Sequence, residues 1–528
     1  MGAADLIELA LAALFLVFAL ARRRWIEPYA ERLAQRPGWS MLLVAALPVI
    51  LRLALLSRHP VPVPDIYDEF GHLLVADTLR HLRLANPAHP LHQFFETFFV
   101  LQEPTYSSIY PVGQGLLLEL GWTLFGTPWA GVLAAAGAFA GLCYWMLCGW
   151  VAPQWALAGG LLAAMEFGPL NQWTNGYWGG SLTAVAGCLV FGSLPRLGRG
   201  WRYGILLGAG LAIHLLTRPY ESIFLLASVL LFCLPGWKKL VRPLATAALV
   251  VVPAVGLTLI QNKQVTGAWL TLPYTLSQYQ YGVPAALTFQ ANPAPHRTLT
   301  REQELDYRMQ LSFRGERPET FGSYAGRLWY RVRYYRFFFM APLYLVLPLF
   351  LLALREARFA RVAGCLALFA LGVNFFPAFQ YHYVAGVTCL FVLVSIVGLE
   401  RLTRISPLAA RVIYLLCVAQ FGLEFGFACA SGNPWLLELR NPERRVAVGR
   451  QLAQVPGKQL VFVRYWPRHI FQDEWVYNAA DIDGARIVWA RDLGDAEDQR
   501  LLRYYPDRAA WLLEPDAQPP RLTRFGGR

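Results

Sequence analysis

Residues 128–150 read PWAGVLAAAGAFAGLCYWMLCGW and contain no charged side chain. An α-helix rises about 1.5 Å per residue, so a stretch of this length crosses a hydrocarbon layer of about 30 Å. Similar apolar stretches recur from the first residues to about residue 430, and each is bounded by Arg, Pro, Trp or Tyr. Such bounds are typical of membrane-spanning helices. The sequence therefore predicts an all-α, multi-pass membrane protein.

The composition supports the same class. Of the 528 residues, 56% are hydrophobic and only 15% are charged, whereas soluble domains carry about 25% charged residues. The formal net charge of +13 lies in short basic clusters between apolar stretches, which argues against a nucleic-acid partner because that would need one basic patch. The eight Cys residues lie in or at the ends of apolar stretches without a CxxC pair, which indicates small buried side chains.

The basic clusters predict the orientation of the chain, because cytoplasmic loops of membrane proteins are enriched in Lys and Arg. Placing all the clusters inside gives one consistent topology with about twelve crossings. The clusters are Arg22, Arg23, Arg24, Arg32 and Arg36; Arg196, Arg199 and Arg202; Lys238, Lys239 and Arg242; Arg355, Arg358 and Arg361; and Arg401, Arg404 and Arg411. The predicted spans are 6–21, 41–57, 128–150, 155–170, 177–194, 203–216, 220–235, 244–261, 338–354, 362–379, 384–399 and 412–430.

The first apolar stretch has no basic region before it and three Arg residues after it, which is the reverse of a cleavable signal peptide. We therefore expect it to remain as the first helix, with its N-terminus outside. The apolar piece 113–125 is short and contains Glu119. Counting it as a crossing would invert every later loop, so we predict a helix that lies on the outer membrane surface.

This topology places two long loops on the outer side, residues 58–127 (loop 1) and 262–337 (loop 2). The membrane domain is predicted to comprise residues 1–430, and residues 431–528 (the tail) a small soluble α/β domain outside the membrane. The tail has strand-like segments beginning at Gln459, Ala485 and Ala509, and an amphipathic helix from about Asp495 to Tyr505. Strands that alternate with a helix are typical of an α/β sheet.

Loop 1 begins with a group of carboxylates, Asp65, Asp68 and Glu69, in the segment PVPDIYDEFGHLLVADTL. Two interpretations are open. Asp65 or Asp68 could cap the following helix. Alternatively, one carboxylate could act as a general base on an acceptor hydroxyl, while a neighbour orients the acceptor or binds a metal ion.

Farther along loop 1, Tyr110 and Pro111 in EPTYSSIYPVGQG come directly before the predicted surface helix. An acidic pair followed by such a Tyr-Pro element resembles the GT-C superfamily of membrane glycosyltransferases, particularly its protein O-mannosyltransferase and aminoarabinose-transferase-like branch. The acidic pair of that superfamily corresponds to Asp68 and Glu69. The chain departs from the pattern at Val112, where the second Pro is replaced, and it lacks the Lys that some members carry near Gln114.

The resemblance implies an inverting glycosyltransferase of a plasma membrane, expected to be the bacterial inner membrane. Such enzymes take a sugar from a polyprenyl-phosphate donor in the membrane lipid and pass it, on the outer face, to an acceptor that can be a glycan, a lipid or a protein. Asp68 would be the base, and Glu69 would assist it or hold a divalent metal ion. The resemblance leaves open whether such a metal is a cofactor.

Arg218 in LLTRPYES is the best candidate for binding the donor phosphate, because it is a charged residue at the end of a predicted span and its planar donors suit phosphate. It could equally reach lipid headgroups or pair with Glu221. His382 in FPAFQYHYVAG could bind phosphate or sugar, or simply lie at the membrane interface. Tyr110 and Asp65 complete the candidate binding residues. The alternative function is a transporter or lipid flippase, which charged residues inside the spans and matched halves would favour.

Overall fold

A computed structural model describes residues 3–315, 318–432 and 443–526 of the chain, which are mostly helical. In chain order the α-helices before loop 2 are α1 (Ala3–Ala34), α2 (Pro37–Ala54), α3 (Tyr67–Arg80), α4 (Val112–Phe125), α5 (Trp129–Leu147), α6 (Pro153–Glu166), α7 (Gly180–Ser193), α8 (Trp201–Thr217), α9 (Pro219–Cys233) and α10 (Trp237–Thr266). The later ones are α11 (Pro273–Tyr281), α12 (Arg301–Arg314), α13 (Phe321–Arg331), α14 (Ala357–Val373), α15 (Thr388–Ile405), α16 (Pro407–Ala430), α17 (Glu443–Gln454) and α18 (Asp495–Tyr504).

Within the described residues, six helical segments are long and apolar enough to cross a membrane: Pro37–Ser57, Trp129–Leu147, Gly180–Arg199, Pro219–Thr266, Tyr381–Ile405 and Pro407–Ala430. These segments agree with a multi-pass membrane protein, while the number of twelve crossings stays a prediction. One physical reason for the difference is that Pro219–Thr266 joins two of the predicted spans in a single 48-residue segment. Another is that several predicted spans form shorter helices, such as the 14-residue α6.

The predicted span 338–354 folds as two short 3₁₀-helices, Ala341–Leu345 and Leu347–Ala353, and each has a Pro in its first turn. Proline removes a backbone donor and so interrupts continuous α-helical hydrogen bonding. The predicted surface helix is present as α4, which has 14 residues and begins directly after Pro111. Its length of about 21 Å is shorter than a hydrocarbon layer of about 30 Å, and its place on the outer membrane surface stays a prediction.

Loop 1 folds into α3 followed by three short strands, β1 (Asn86–Pro87), β2 (Val100–Leu101) and β3 (Thr105–Ser108), in the antiparallel order β1-β3-β2. The helix α3 lies against β3 and α4. Loop 2 contributes α11, α12 and α13. The capping residue of α12 is Thr300, whose hydroxyl accepts a hydrogen bond from the Gln303 amide, as in a capping box.

The tail contains β4 (Gln459–Val463), β5 (Ile487–Arg491), β6 (Ala509–Glu514) and β7 (Arg521–Arg524) in the order β5-β4-β6-β7. Both neighbours of β4 are parallel to it, and β7 is antiparallel to β6. The three strands and the helix that the sequence predicted are all present, with α17 and β7 in addition. Residues 433–442 of the predicted tail lie outside the described residues.

The sheet of the tail shares a hydrophobic core with loop 1. Leu460 and Phe462 on β4 pack in one cluster with Phe94, Phe95 and Val100 of loop 1. Burying these side chains together stabilises both parts, because each large apolar side chain contributes about 1.5–3 kcal/mol when it leaves water. The division of the chain at residue 431 into separate domains stays a prediction.

A buried ionic network joins the tail to both loops. The guanidinium of Arg491 on β5 donates to Glu302 on α12 at 2.7 Å, to the carbonyl oxygen of Glu96 in loop 1 at 2.6 Å, and to Glu474. The side chains of Arg491, Glu302 and Glu474 are all at least nine-tenths buried. Removing one partner would therefore leave buried charges without compensation.

Candidate active site

A cavity of about 430 Å³ lies where loop 1, loop 2, the junction of α8 with α9, and the segment 376–383 meet. Four of the six candidate residues from the sequence line it: Asp68, Tyr110, Arg218 and His382. These residues come from four separate parts of the chain. The fold therefore assembles a carboxylate, a phenol, a guanidinium and an imidazole around one space.

Asp68 lies in the first turn of α3. The capping residue of that helix is Ile66, whose side chain makes no capping hydrogen bond. Neither Asp65 nor Asp68 therefore occupies the capping position, although an acid in the first turn interacts favourably with the helix dipole. The Tyr110 hydroxyl donates a hydrogen bond to Oδ1 of Asp68.

Burial raises the pKa of Asp68 above its usual range, while the hydrogen bond from Tyr110 and the positive charge of Arg218 lower it. Burial is the largest of these effects. A carboxylate with a raised pKa is a stronger base than one in water, and a general base works best when its pKa approaches the working pH. Asp68 is thus in an environment suited to accepting a proton.

Tyr110 is held in place from three sides. Its carbonyl oxygen accepts a hydrogen bond from Nε2 of Gln261 at 2.9 Å, and its ring stacks on His72 with 4.2 Å between centroids. Gly71 makes room for the ring, because a β-carbon at that position would lie 2.7 Å from it. Burial raises the pKa of Tyr110 well above its usual value, so the phenol keeps its proton and remains a donor to Asp68.

Arg218 lies between the end of α8 and the start of α9, and its backbone amide donates to the carbonyl oxygen of His214 at 2.7 Å. Its guanidinium lies over the ring of Tyr383, 5.4 Å from the centroid. In the part of the chain that the structure describes, no carboxylate lies within 4.0 Å of this guanidinium, so the ion pair with Glu221 does not form. The charge is available to an anion in the cavity.

His382 is buried at the start of the segment Tyr381–Ile405, with its ring 5.4 Å from that of Trp178 and 4.9 Å from that of Tyr383. Trp178 and Tyr383 also line the cavity. His382 is therefore part of an aromatic wall. An aromatic wall of this kind suits stacking against the face of a sugar ring.

Glu69 and Asp65 do not line the cavity. The Glu69 carboxylate accepts hydrogen bonds from the amides of Asp65 and Tyr177, both at 2.8 Å. Burial raises the pKa of Glu69 to about 7. Glu69 thus fastens the start of loop 1 to the segment before α7. Among the described residues, no group of three or more His, Cys, Asp or Glu side chains could hold a metal ion.

Sequence reasoning did not place His72, Glu221 or Tyr274 at the site, although all three carry polar groups on the cavity wall. His72 follows the acidic pair by one helical turn, and that spacing places it on the same face of α3 as Asp68. Burial lowers the pKa of His72 to about 3, so its imidazole is neutral. Glu221 and Tyr274 come from α9 and α11, and no local pattern connects them to loop 1.

Three arginines that come before the predicted span at 338, namely Arg331, Arg333 and Arg336, differ in their burial. Arg331 is buried and donates to the carbonyl oxygens of Val373, Phe376, Pro377 and Ala378. The last three of these residues line the cavity. Arg331 therefore fixes one wall of the cavity, whereas Arg333 and Arg336 remain exposed.

Comparison with solved structures finds the same fold elsewhere. The apo structure of ArnT from Cupriavidus metallidurans matches with a TM-score of 0.51 and 14% sequence identity, over 90% of this chain and 93% of that one. The structure of the same ArnT bound to undecaprenyl phosphate matches with a TM-score of 0.50 and 13% identity, over the same shares of both chains. The apo oligosaccharyltransferase of Archaeoglobus fulgidus gives a TM-score of 0.43 and 11% identity, over 90% of this chain and 69% of that one.

Comparison by sequence gives no match, either to a protein-family model or to a curated protein. At such low identity the structural likeness to ArnT concerns the fold, and it extends over nearly the whole length of both chains. The fold that the acidic pair and the Tyr-Pro element of loop 1 predicted is therefore confirmed: this chain has the fold of ArnT.

Proposed function

We propose that this protein is a glycosyltransferase that moves a sugar from a polyprenyl-phosphate donor to an acceptor at the outer face of a bacterial plasma membrane. The observation that carries the proposal is the joint placement of Asp68 and Arg218 on one cavity. A related fold, that of ArnT, has a structure bound to undecaprenyl phosphate. The cavity joins the base and the cation that a transfer from a lipid phosphate requires.

In the proposed reaction, Asp68 takes the proton of the acceptor hydroxyl as its oxygen attacks the anomeric carbon of the sugar. The bond between that carbon and the phosphate oxygen breaks, and the polyprenyl phosphate leaves with the electron pair. A single displacement of this kind inverts the anomeric configuration. Tyr110 keeps the Asp68 carboxylate oriented through its hydrogen bond.

Arg218 would stabilise the negative charge that develops on the leaving phosphate. An arginine that is already placed in a buried site loses little energy to reorganisation when the charge appears. Its contact with Tyr383 holds the guanidinium at the cavity while leaving its donors to the ligand. Glu69 would act indirectly, by fixing the first turn of α3 through the amides that it binds.

Binding of the donor lipid provides a direct test. The affinity of the purified protein for undecaprenyl phosphate, measured in nanodiscs, should fall about 10-fold or more in Arg218→Ala, because a charge-assisted hydrogen bond contributes about 1.5–3 kcal/mol. Arg333→Ala is the matched control, since this arginine is exposed and stacks on Tyr330 at 3.5 Å. Equal losses in both variants, or none in Arg218→Ala, would contradict the placement of the phosphate.

The reaction itself separates this proposal from a transporter or flippase. Mass spectrometry of surface glycans and lipid-linked sugars in a strain that lacks the gene should show a lost sugar on the acceptor and an accumulated sugar donor. Loss of a lipid flippase would instead leave the lipid-linked sugar on the inner leaflet. An unchanged glycan profile with a changed leaflet distribution would favour that alternative.

The location of the site is tested by labelling of single cysteines. Arg83→Cys in loop 1 should react with an impermeant thiol reagent from outside, and Gly198→Cys should not. Both positions are exposed, and a β-carbon at Gly198 meets no atom within 4 Å. The native cysteines, of which Cys429 is exposed, must first be replaced. Reversed labelling would place the cavity on the inner side.

A further inference from the structure

Glu221 is a second acidic residue on the cavity wall besides Asp68, and it has no role in the reaction proposed above. It lies in the first turn of α9, three residues after Arg218, and it is buried. The charge of Arg218 acts on it, but within the described residues the two side chains do not come within 4.0 Å. Glu221 therefore places a carboxyl group on the cavity wall.

The cavity wall has fewer basic side chains than acidic ones. Among the described lining residues, Arg218 is the single Lys or Arg, whereas Asp68 and Glu221 both carry carboxylates. His72 is neutral because burial lowers its pKa to about 3. Once a phosphate has bound to Arg218, the described wall offers no further Lys or Arg to a ligand, only acidic side chains. A second negative group on the same ligand would then be buried beside acidic groups without a compensating cation, which is costly.

The remaining polar groups of the wall suit hydroxyls. The Oδ1 of Asn262, Nδ1 of His72 and the hydroxyl of Tyr274 are buried and make no hydrogen bond with the residues that the structure describes. Buried polar atoms are nearly always paired, so these atoms point to a ligand with several donors and acceptors. A sugar ring supplies them.

Two carboxamides of the wall are already fixed by backbone contacts. Nε2 of Gln278 donates to the carbonyl oxygen of Pro284 at 2.9 Å, and Oε1 of Gln310 accepts from the amide of Ala285 at 2.8 Å. Rigid amides of this kind discriminate between hydroxyl arrangements at little cost in side-chain entropy. The cavity is thus equipped for an uncharged polar ligand.

We propose that the sugar bound in this cavity carries no acidic group, and that Glu221 is the residue that excludes one. This inference rests on the proposed function, because it assumes that a polyprenyl phosphate occupies Arg218. Glu221 accepts hydrogen bonds from sugar hydroxyls and repels a carboxylate at the same position. It is a residue that determines specificity, while Asp68 remains the base.

The test is a competition experiment with the full-length protein in nanodiscs. Labelled undecaprenyl phosphate is displaced by four undecaprenyl phosphate sugars that carry glucose, galactose, N-acetylglucosamine or glucuronate. At least one neutral sugar should bind about 10-fold or more tightly than the glucuronate, because like charges in an interface are strongly unfavourable. In Glu221→Gln this preference should shrink to less than about threefold.

Glu304→Gln is the matched control, because Glu304 is a half-exposed carboxylate that pairs with Arg308 on α12, away from the cavity wall. It should keep the full preference for the neutral sugar. Glu221→Ala serves as a second variant if Glu221→Gln does not fold, which thermal unfolding in nanodiscs would reveal. If neither folds, equal affinity of the wild-type protein for the glucuronate and for every neutral sugar would still overturn the inference.

Two results would overturn the inference and are distinguishable from each other. In the first, undecaprenyl phosphate binds, but the glucuronate competes as well as every neutral sugar, or the preference persists in Glu221→Gln. The role assigned to Glu221 is then wrong, while the proposed function stands. If undecaprenyl phosphate itself does not bind, the proposed function fails, and the inference fails with it.

Discussion

Replacing Asp68 by Asn is the most direct perturbation of the proposed chemistry. The amide keeps the size of the carboxylate, and its oxygen can still accept the hydrogen bond from Tyr110. It cannot take a proton from the acceptor. Loss of a general base reduces the rate about 10²- to 10⁴-fold, which corresponds to about 2.7–5.5 kcal/mol in the activation barrier.

The structural cost of the same change is much smaller. Asp68 is not the capping residue of α3, and the oxygen of Asn can still accept a hydrogen bond from the backbone amide of residue 68. The main loss is therefore the interaction with the dipole of α3, about 0.3–1 kcal/mol. Removing a buried charge also relieves part of the desolvation that raises the pKa of Asp68. The expected barrier change is therefore several times larger than the expected change in stability, and the two can be measured separately.

The assay is sugar transfer in membrane vesicles, followed by mass spectrometry and normalised to the amount of inserted protein. Asp65→Asn is the control, because Asp65 lies three residues away in the same segment and does not line the cavity. It should keep most of the wild-type rate. Wild-type turnover in Asp68→Asn at equal protein levels would refute the assignment of the base.

Two further predictions concern the surroundings of the site. Tyr110→Phe removes the hydrogen bond that lowers the pKa of Asp68; that pKa should rise, and the acid limb of the profile of kcat against pH should move to higher pH. A profile that keeps its acid limb in place would show that Asp68 is not the titrating base. Arg491→Ala should destabilise the attachment of the tail by about 3–5 kcal/mol, because it leaves buried carboxylates unpaired. Pulse proteolysis in urea would measure this loss, and Arg500→Ala, which removes an exposed pair with Glu497, should change stability by less than about 0.5 kcal/mol.

The carboxylates of loop 1 show how far local sequence can assign roles. Asp68 and Glu69 are adjacent in sequence and chemically alike, but successive residues of a helix point about 100° apart. Asp68 points toward the cavity and Tyr110, whereas Glu69 points toward the amide of Tyr177. The choice between them depends on what packs against each face of α3, and that information lies elsewhere in the chain.

The sequence by itself determined the membrane class, because long uncharged stretches leave lipid as the only suitable solvent. It also predicted the strands of the tail, through local alternation, and it singled out loop 1 and Arg218 as candidates, through charges placed where they are costly. Tertiary structure alone decided which of these residues meet. Glu221, His72 and Tyr274 join Asp68 on one cavity because α3, α9 and α11 converge there. The same is true of Arg491, which joins the tail to both loops through partners 395 and 189 residues away in the chain, a contact that no local pattern encodes.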